Sequence, residues 1–119
     1  MSVIIENPMG NIEITKDVIA TLAGIAATAC VGIVGMVSSR IISDGITELL
    51  GKESLSKGVD VVIKPDELNI KVNIVVGYGI RISVIADNVI DNVKYSIEKH
   101  TGLPVKNVIV NIQGVRVLD

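Results

Sequence analysis

The sequence predicts an α+β fold in one domain, residues 1–119: a single mixed, largely antiparallel sheet of roughly five strands with two long helices on one face. Three observations lead there. Residues 59–63 and 68–76 read as two strands joined by the turn Lys64-Pro65-Asp66-Glu67. Residues 80–100 change to a helical period, and a second helical pattern, rich in alanine, follows Thr15. No internal repeat and no linker divides the chain.

The elements follow in order. Residues 10–14 (GNIEI) alternate apolar and polar, a short strand signal. Thr15 is placed to cap a helix, its hydroxyl accepting from a free backbone N–H of the first turn, and Asp17 adds a negative charge where the helix dipole favours one. Val18, Leu22, Ile25 and Ala29 then recur at helical spacing with Ile19, Ala23 and Ala26 beside them, which predicts a wide buried face. The many small residues on that face imply a close approach to whatever covers it. Residues 32–37 read as a turn into a short strand. Residues 38–58 are the least regular stretch, with a short helix expected over 45–50, capped by Asp44 and stopped by Gly51.

The hairpin that follows is the clearest pattern in the chain. Proline presets the turn, and Asp bonds readily to its own backbone. In the second arm Leu68, Ile70, Val72, Ile74 and Val76 face one way while Asn69, Lys71 and Asn73 face the other, so one face is expected buried and one wet. In the next helix Ile82, Ala86, Val89, Val93 and Ile97 form a stripe widened by Ile85 and Ile90, with charged residues opposite. Lys99 and His100 in its last turn, Gly102 just past it and Pro104 beyond mark its end. The last strand runs over residues 105–118, and its apolar parity changes at Gly114, which predicts a β-bulge there.

Composition narrows the function. The chain is 49% apolar, almost wholly Val, Ile, Leu and Ala, with no Trp, no Phe and only Tyr78 and Tyr95. Stacking platforms for single-stranded nucleic acid are therefore scarce. The net charge is −2 with no basic block, which argues against nucleic acid and against direct attachment to anionic lipid. Residues 18–37 carry no charge over a length that would span a bilayer, yet they are rich in Ala, Gly and Thr, hold a single Leu and lack aromatic belts. Direct membrane insertion is not expected. The first ten residues are too acidic for a secretory signal, and one lone cysteine permits no internal disulfide, which together fit a cytoplasmic protein.

Chemistry-bearing residues are few. His100 is the single histidine and sits where a helix-end cation is a sufficient explanation, and Cys30 lies in an apolar stretch. Asp87 and Asp91 share a helical face, while Asp66 and Glu67 are adjacent in a turn; both pairs read as solvated surface. No catalytic residue, cofactor site or metal site is assigned, and no enzyme activity is expected. Gly32-Ile33-Val34-Gly35 spells the GxxG of a KH-type RNA clamp, but its neighbours are apolar rather than basic. A KH-like RNA-binding module is the second reading. Tyr78, between two glycines at a strand-to-helix corner, either packs on the sheet or presents a contact.

Residues 36–55 hold Ile41, Ile42, Ile46, Leu49 and Leu50 among weak helix signals. Apolar residues that cannot easily dock on a sheet stay exposed and mark interfaces. These five and Tyr78 are the candidate interaction residues. The competing reading has Ile42, Ile46 and Leu50 closing one end of the core.

Three stretches together resemble the alkaline shock protein/general stress (Gls) family of Gram-positive bacteria: GNIEITKDVIATLAGIAATACVGIVGM over 10–36, KGVDVVI over 57–63, and the run from VVGYGIRIS to HTGLPVKNVIVNIQGVRV over 75–117. The match covers nearly the whole chain, and a small subgroup carrying GIVGM and QGVRV is the most similar. The resemblance implies a non-enzymatic protein associated with envelope or alkaline stress, self-assembling into homo-oligomers and held at the cytoplasmic face of the membrane by a separate membrane-anchored partner. The resulting expectation is a non-catalytic adaptor or scaffold that acts by protein–protein contact.

Overall fold

The computed structural model describes residues 2–38, 49–65 and 67–117. Its elements are β1 (Ser2–Asn7), β2 (Gly10–Thr15), α1 (Lys16–Thr28), β3 (Ile33–Met36), a 3₁₀ segment (Lys52–Gly58), β4 (Val59–Lys64), β5 (Glu67–Gly77), α2 (Ile82–Thr101) and β6 (Val105–Arg116). The mixed α+β class holds, but the strands form two sheets rather than one.

The main sheet is organised around β5. The antiparallel partners β4 and β3 lie end to end along one side of it, β4 beside residues 67–72 and β3 beside residues 74–76. On the other side β6 runs parallel to β5 over nearly its full length, reached through α2 as the crossover that parallel pairing demands. The second sheet is a two-stranded hairpin of β1 and β2, pairing Val3 with Ile14 and Ile5 with Ile12. Residues 2–7 carry no expectation in the sequence reading. Their strand is fixed by β2, whose alternation they mirror.

Leu68, Ile70, Val72, Ile74 and Val76 are all buried beneath the helices, as their alternation requires. Against them lie Ile85, Val89, Val93 and Ile97 of α2, and Ile19, Ala23 and Ala27 of α1, in one continuous cluster. Burying a side chain of this size contributes ~1.5–3 kcal/mol, so this layer dominates the fold's stability. The buried face of α1 includes Ile19, Ala23 and Ala26 as expected but departs from expectation at its larger residues. Val18 and Ile25 stay about half exposed, whereas Ala20, Ala23, Gly24, Ala26 and Ala27 face inward. The helix turns its small side inward because it lies close to the 3₁₀ segment: a Cβ at Gly24 would sit 2.9 Å from the Leu55 Cβ. In α2, Ile82 is likewise exposed rather than part of the buried stripe.

Helix ends follow their signals. The Thr15 hydroxyl accepts from the Val18 N–H at 3.4 Å, and Gly102, at φ 73°, closes α2 with its N–H donated to the Glu98 carbonyl. The expected helix over residues 45–50 lies mostly outside the described residues, and 49–50 are not helical. The bulge before Gly114 is present, since the register between β5 and β6 shifts between Ile74 and Val75. It sets Val115 opposite Val76, but Val115 remains half exposed because it lies at the end of the sheet. No helix among the described residues is long and apolar enough to cross a membrane.

Candidate interaction surfaces

The sheet face away from the helices carries an amide network. Asn69 and Asn107 face each other across β5 and β6, with the Asn107 Nδ2 donating to the Asn69 Oδ1 at 3.1 Å. Four residues on, the Asn73 Oδ1 accepts from Asn111 Nδ2 and from Gln113 Nε2, both at 3.2 Å. Lys71 and Ile109 stand exposed between the two groups. Asn73 itself is only 2% exposed, so the wet face expected from alternation is dry at this point. The cause is the seam where β3 and β4 meet end to end: Asn73 accepts the Val37 N–H on its carbonyl and donates its side chain to the Gly58 carbonyl at 3.0 Å. Gly58 is what lets the two strands abut, because a Cβ there would stand 2.8 Å from the Val37 oxygen.

A second surface gathers at the end of β5. Tyr78 is 74% exposed, and its N–H donates to the Arg116 carbonyl at 2.8 Å, which brings the start of the loop before α2 against the end of β6. Ile80, Ile82, Val115 and Val117 are exposed around this corner, and Val31 is exposed on the turn from α1 to β3, whose Gly32 carbonyl accepts from the Gly77 N–H. Single exposed apolar residues are ordinary, but a cluster at one corner is the usual mark of an interface. The same turn explains half of the GxxG motif. Gly32 has φ +94°, a left-handed conformation that glycine adopts without strain, and the rest of the motif lies in or beside β3.

The opposite end carries the β1–β2 hairpin. Val3 and Ile14 at its base are half-buried on the core, whereas Ile12 is half exposed and Met9 at the turn is 96% exposed. A shallow recess of about 280 Å³ lies between the base of the hairpin and the body, lined by Val3, Ile4, Ile63, Leu68 and Leu103 among others.

The candidate residues named from the sequence divide. Tyr78 is exposed rather than packed on the sheet. Leu49 and Leu50 are half-buried and turned inward: Leu49 lies over Gly35, and Leu50 packs against the core cluster. Ile41, Ile42 and Ile46 lie outside the described residues. The exposed hairpin and the partners of Tyr78 were missed. Ile80, Val115 and Val117 come together through tertiary pairing, while Met9 and Ile12 were legible as apolar residues with no helix or sheet to cover them.

The Cys30 thiol is half-buried, and desolvation pushes its pKa above the ordinary value, partly offset by a hydrogen bond from Asn92. Asn92 Nδ2 also donates to the Ala26 carbonyl at 2.7 Å, so it joins α2 to the last turns of α1. His100 is exposed, its Nδ1 2.8 Å from the Ser96 carbonyl within its own helix. Among the described residues no three His, Cys, Asp or Glu side chains come together in a way that would hold a metal ion.

Residues 4–117 match the model of the alkaline shock protein 23 family, which is described as having a cell envelope-related function. The chain is 45% identical over 119 residues to the uncharacterized protein YloU of Bacillus subtilis (strain 168), covering 100% of this chain and 99% of that protein. It is 40% identical over 120 residues to the uncharacterized protein Spy1614 of Streptococcus pyogenes, covering 99% of this chain and 98% of that one. A second Bacillus subtilis protein, the uncharacterized YqhY, is 32% identical over 108 residues. No solved structure gives a significant match.

Proposed function

Since this chain belongs to the alkaline shock protein 23 family, we propose that it is a non-catalytic adaptor or scaffold of the cell envelope, working by protein–protein contact and self-association. The observation that carries this reading is the exposed apolar corner around Tyr78, where three separate segments are drawn together by backbone hydrogen bonds and Val31, Tyr78, Ile80, Val115 and Val117 remain exposed. The amide network on the open sheet face supports it, because hydrogen-bonded amides with Lys71 and Ile109 between them suit a polar, wet protein contact. In this reading the protein is cytoplasmic and is recruited to the cytoplasmic face of the membrane by a membrane-anchored protein.

Two measurements test the proposal together. Sedimentation velocity over a wide concentration range should show reversible oligomers. Fractionation of cells making the protein should recover part of it with membranes, released by alkaline or high-salt washing without detergent. A strict monomer found only in the soluble fraction would sink the scaffold reading.

A further inference from the structure

We propose that two copies of this chain join edge to edge through β6, antiparallel about a two-fold axis at Ile109. The inference rests on the self-association reading and places a contact on the free edge of the main sheet, apart from the Tyr78 corner.

The first argument is the edge itself. β6 is bonded to β5 on one side, and among the described residues no strand pairs with its other side. A free edge offers a row of backbone donors and acceptors, which proteins commonly guard with charge, proline or bulges. Residues 107–115 carry neither charge nor proline. The two register shifts fall outside residues 107–112, which pair with residues 69–74 without interruption. The middle of β6 is therefore regular and unguarded.

The free backbone groups can be named. Hydrogen-bonding direction alternates along a strand. Asn73 accepts the Val37 N–H, so its backbone turns toward β3, and those of Ile70, Val72 and Ile74 turn toward β6. Their Cα partners on β6 are Val108, Val110 and Ile112. In a parallel pair the residues flanking each partner take the bonds, so Asn107, Ile109 and Asn111 turn toward β5. The N–H and C=O groups of Val108 and Val110 are left at the free edge.

The sequence identifies what fits there. Asn107-Val108-Ile109-Val110-Asn111 reads the same in both directions. An antiparallel pair about Ile109 sets Val108 against Val110 of the second copy, so the groups left at the two edges bond to each other. Ile109, 53% exposed, meets Ile109 of the second copy, and the half-buried Val108 and Val110 cover each other on the helix side. On the open face Asn107 meets Asn111 of the second copy. Each already donates one N–H within its own sheet, to Asn69 and Asn73, and each amide has a second N–H and an oxygen to offer. The amide row thus runs on from Asn69 and Asn107 to Asn111 and Asn73 of the second copy. A slip of one residue would set outward backbone groups against inward ones, and a slip of two would set asparagine against isoleucine. Only the register about Ile109 puts like against like, and such a contact is isologous and closes at two copies.

Charge exchange at the residue that meets itself tests this. Sedimentation equilibrium should show the wild-type protein dimerising, and Ile109→Lys and Ile109→Glu should each dimerise on the order of tenfold or more weakly. An equimolar mixture of the two should recover dimer, because opposite charges then meet at the axis. Should a charged variant unfold in a thermal melt, Ile109→Cys in a Cys30→Ala background takes its place. Oxidation with diamide should link copies through position 109, while Lys71→Cys in the same background, exposed on the adjacent strand, stays unlinked. Oligomers unchanged in both charged variants, a mixture that recovers nothing, or equal linking at the two cysteines would overturn the β6 contact and leave self-association standing. A wild-type protein monomeric at every concentration would overturn both.

Discussion

Asn73 donates its side-chain N–H to the carbonyl oxygen of Gly58 at 3.0 Å, tying the centre of β5 to the residue that leads into β4. The bond sits at the seam between β3 and β4, where neither strand alone completes the ladder. Asn73→Ala would leave that carbonyl and the Asn111 and Gln113 amides without their shared partner. The expected cost is ~1–3 kcal/mol, as for any buried polar group stripped of its hydrogen bond. Urea unfolding should show a lower midpoint at unchanged slope.

Gly58→Ala attacks the same seam from the other strand. The new Cβ would meet the Val37 backbone oxygen at 2.8 Å and the Met36 Cε and Leu50 Cδ1 at 3.2 Å. A backbone oxygen cannot swing away as a side chain can. Destabilisation of ~1–3 kcal/mol is expected, read as a lowered thermal midpoint, and an unchanged midpoint would mean that the two strands are not held in contact.

The ion pair of Lys106 with Glu67 ties the start of β6 to the start of β5 at 3.2 Å, but the Lys106 side chain is 64% exposed. Solvent and salt screen such a pair, so Lys106→Ala should cost less than ~1 kcal/mol. A larger loss in chemical denaturation would show that this end of the sheet is drier than its exposure indicates.

Cys30 offers a pH-dependent readout. Burial raises its pKa and the Asn92 hydrogen bond only partly opposes that, so the reactive thiolate forms at higher pH than in an unperturbed thiol. Alkylation by iodoacetamide should be slow near neutral pH, with a rate midpoint above that of a free cysteine measured in parallel. Equal midpoints would contradict the burial.

How legible the fold was depended on whether its cause was local. The β4–β5 hairpin and the end of α2 were read correctly because a Pro-Asp turn and a Gly102 stop act within a few residues. The buried face of α1 was read in part: Ile19, Ala23 and Ala26 are buried as expected, but the large residues Val18 and Ile25 were also taken as core and stay about half exposed. The approach of Leu55 to Gly24, a tertiary fact, instead favours the small side. The burial of Asn73 was invisible for the same reason, since it comes from two strands meeting end to end. Of the exposed corner, Tyr78 was named on its flanking glycines. Its neighbours Val115 and Val117 lie nearly forty positions away in the chain and join it only through the pairing of β5 with β6.

That pairing also sets the order in which the molecule can assemble. β4 and β5 are joined by a tight turn and can zip together as soon as both exist, whereas Asn69 must wait for Asn107, and Ile74 for Ile112, across the whole of α2. Loop closure of that length is paid before any β6 contact forms, and long-range parallel pairing is intrinsically slow. Docking of β6 should therefore limit the rate of folding. Until it docks, β5 presents an open edge, and the Tyr78 corner does not exist.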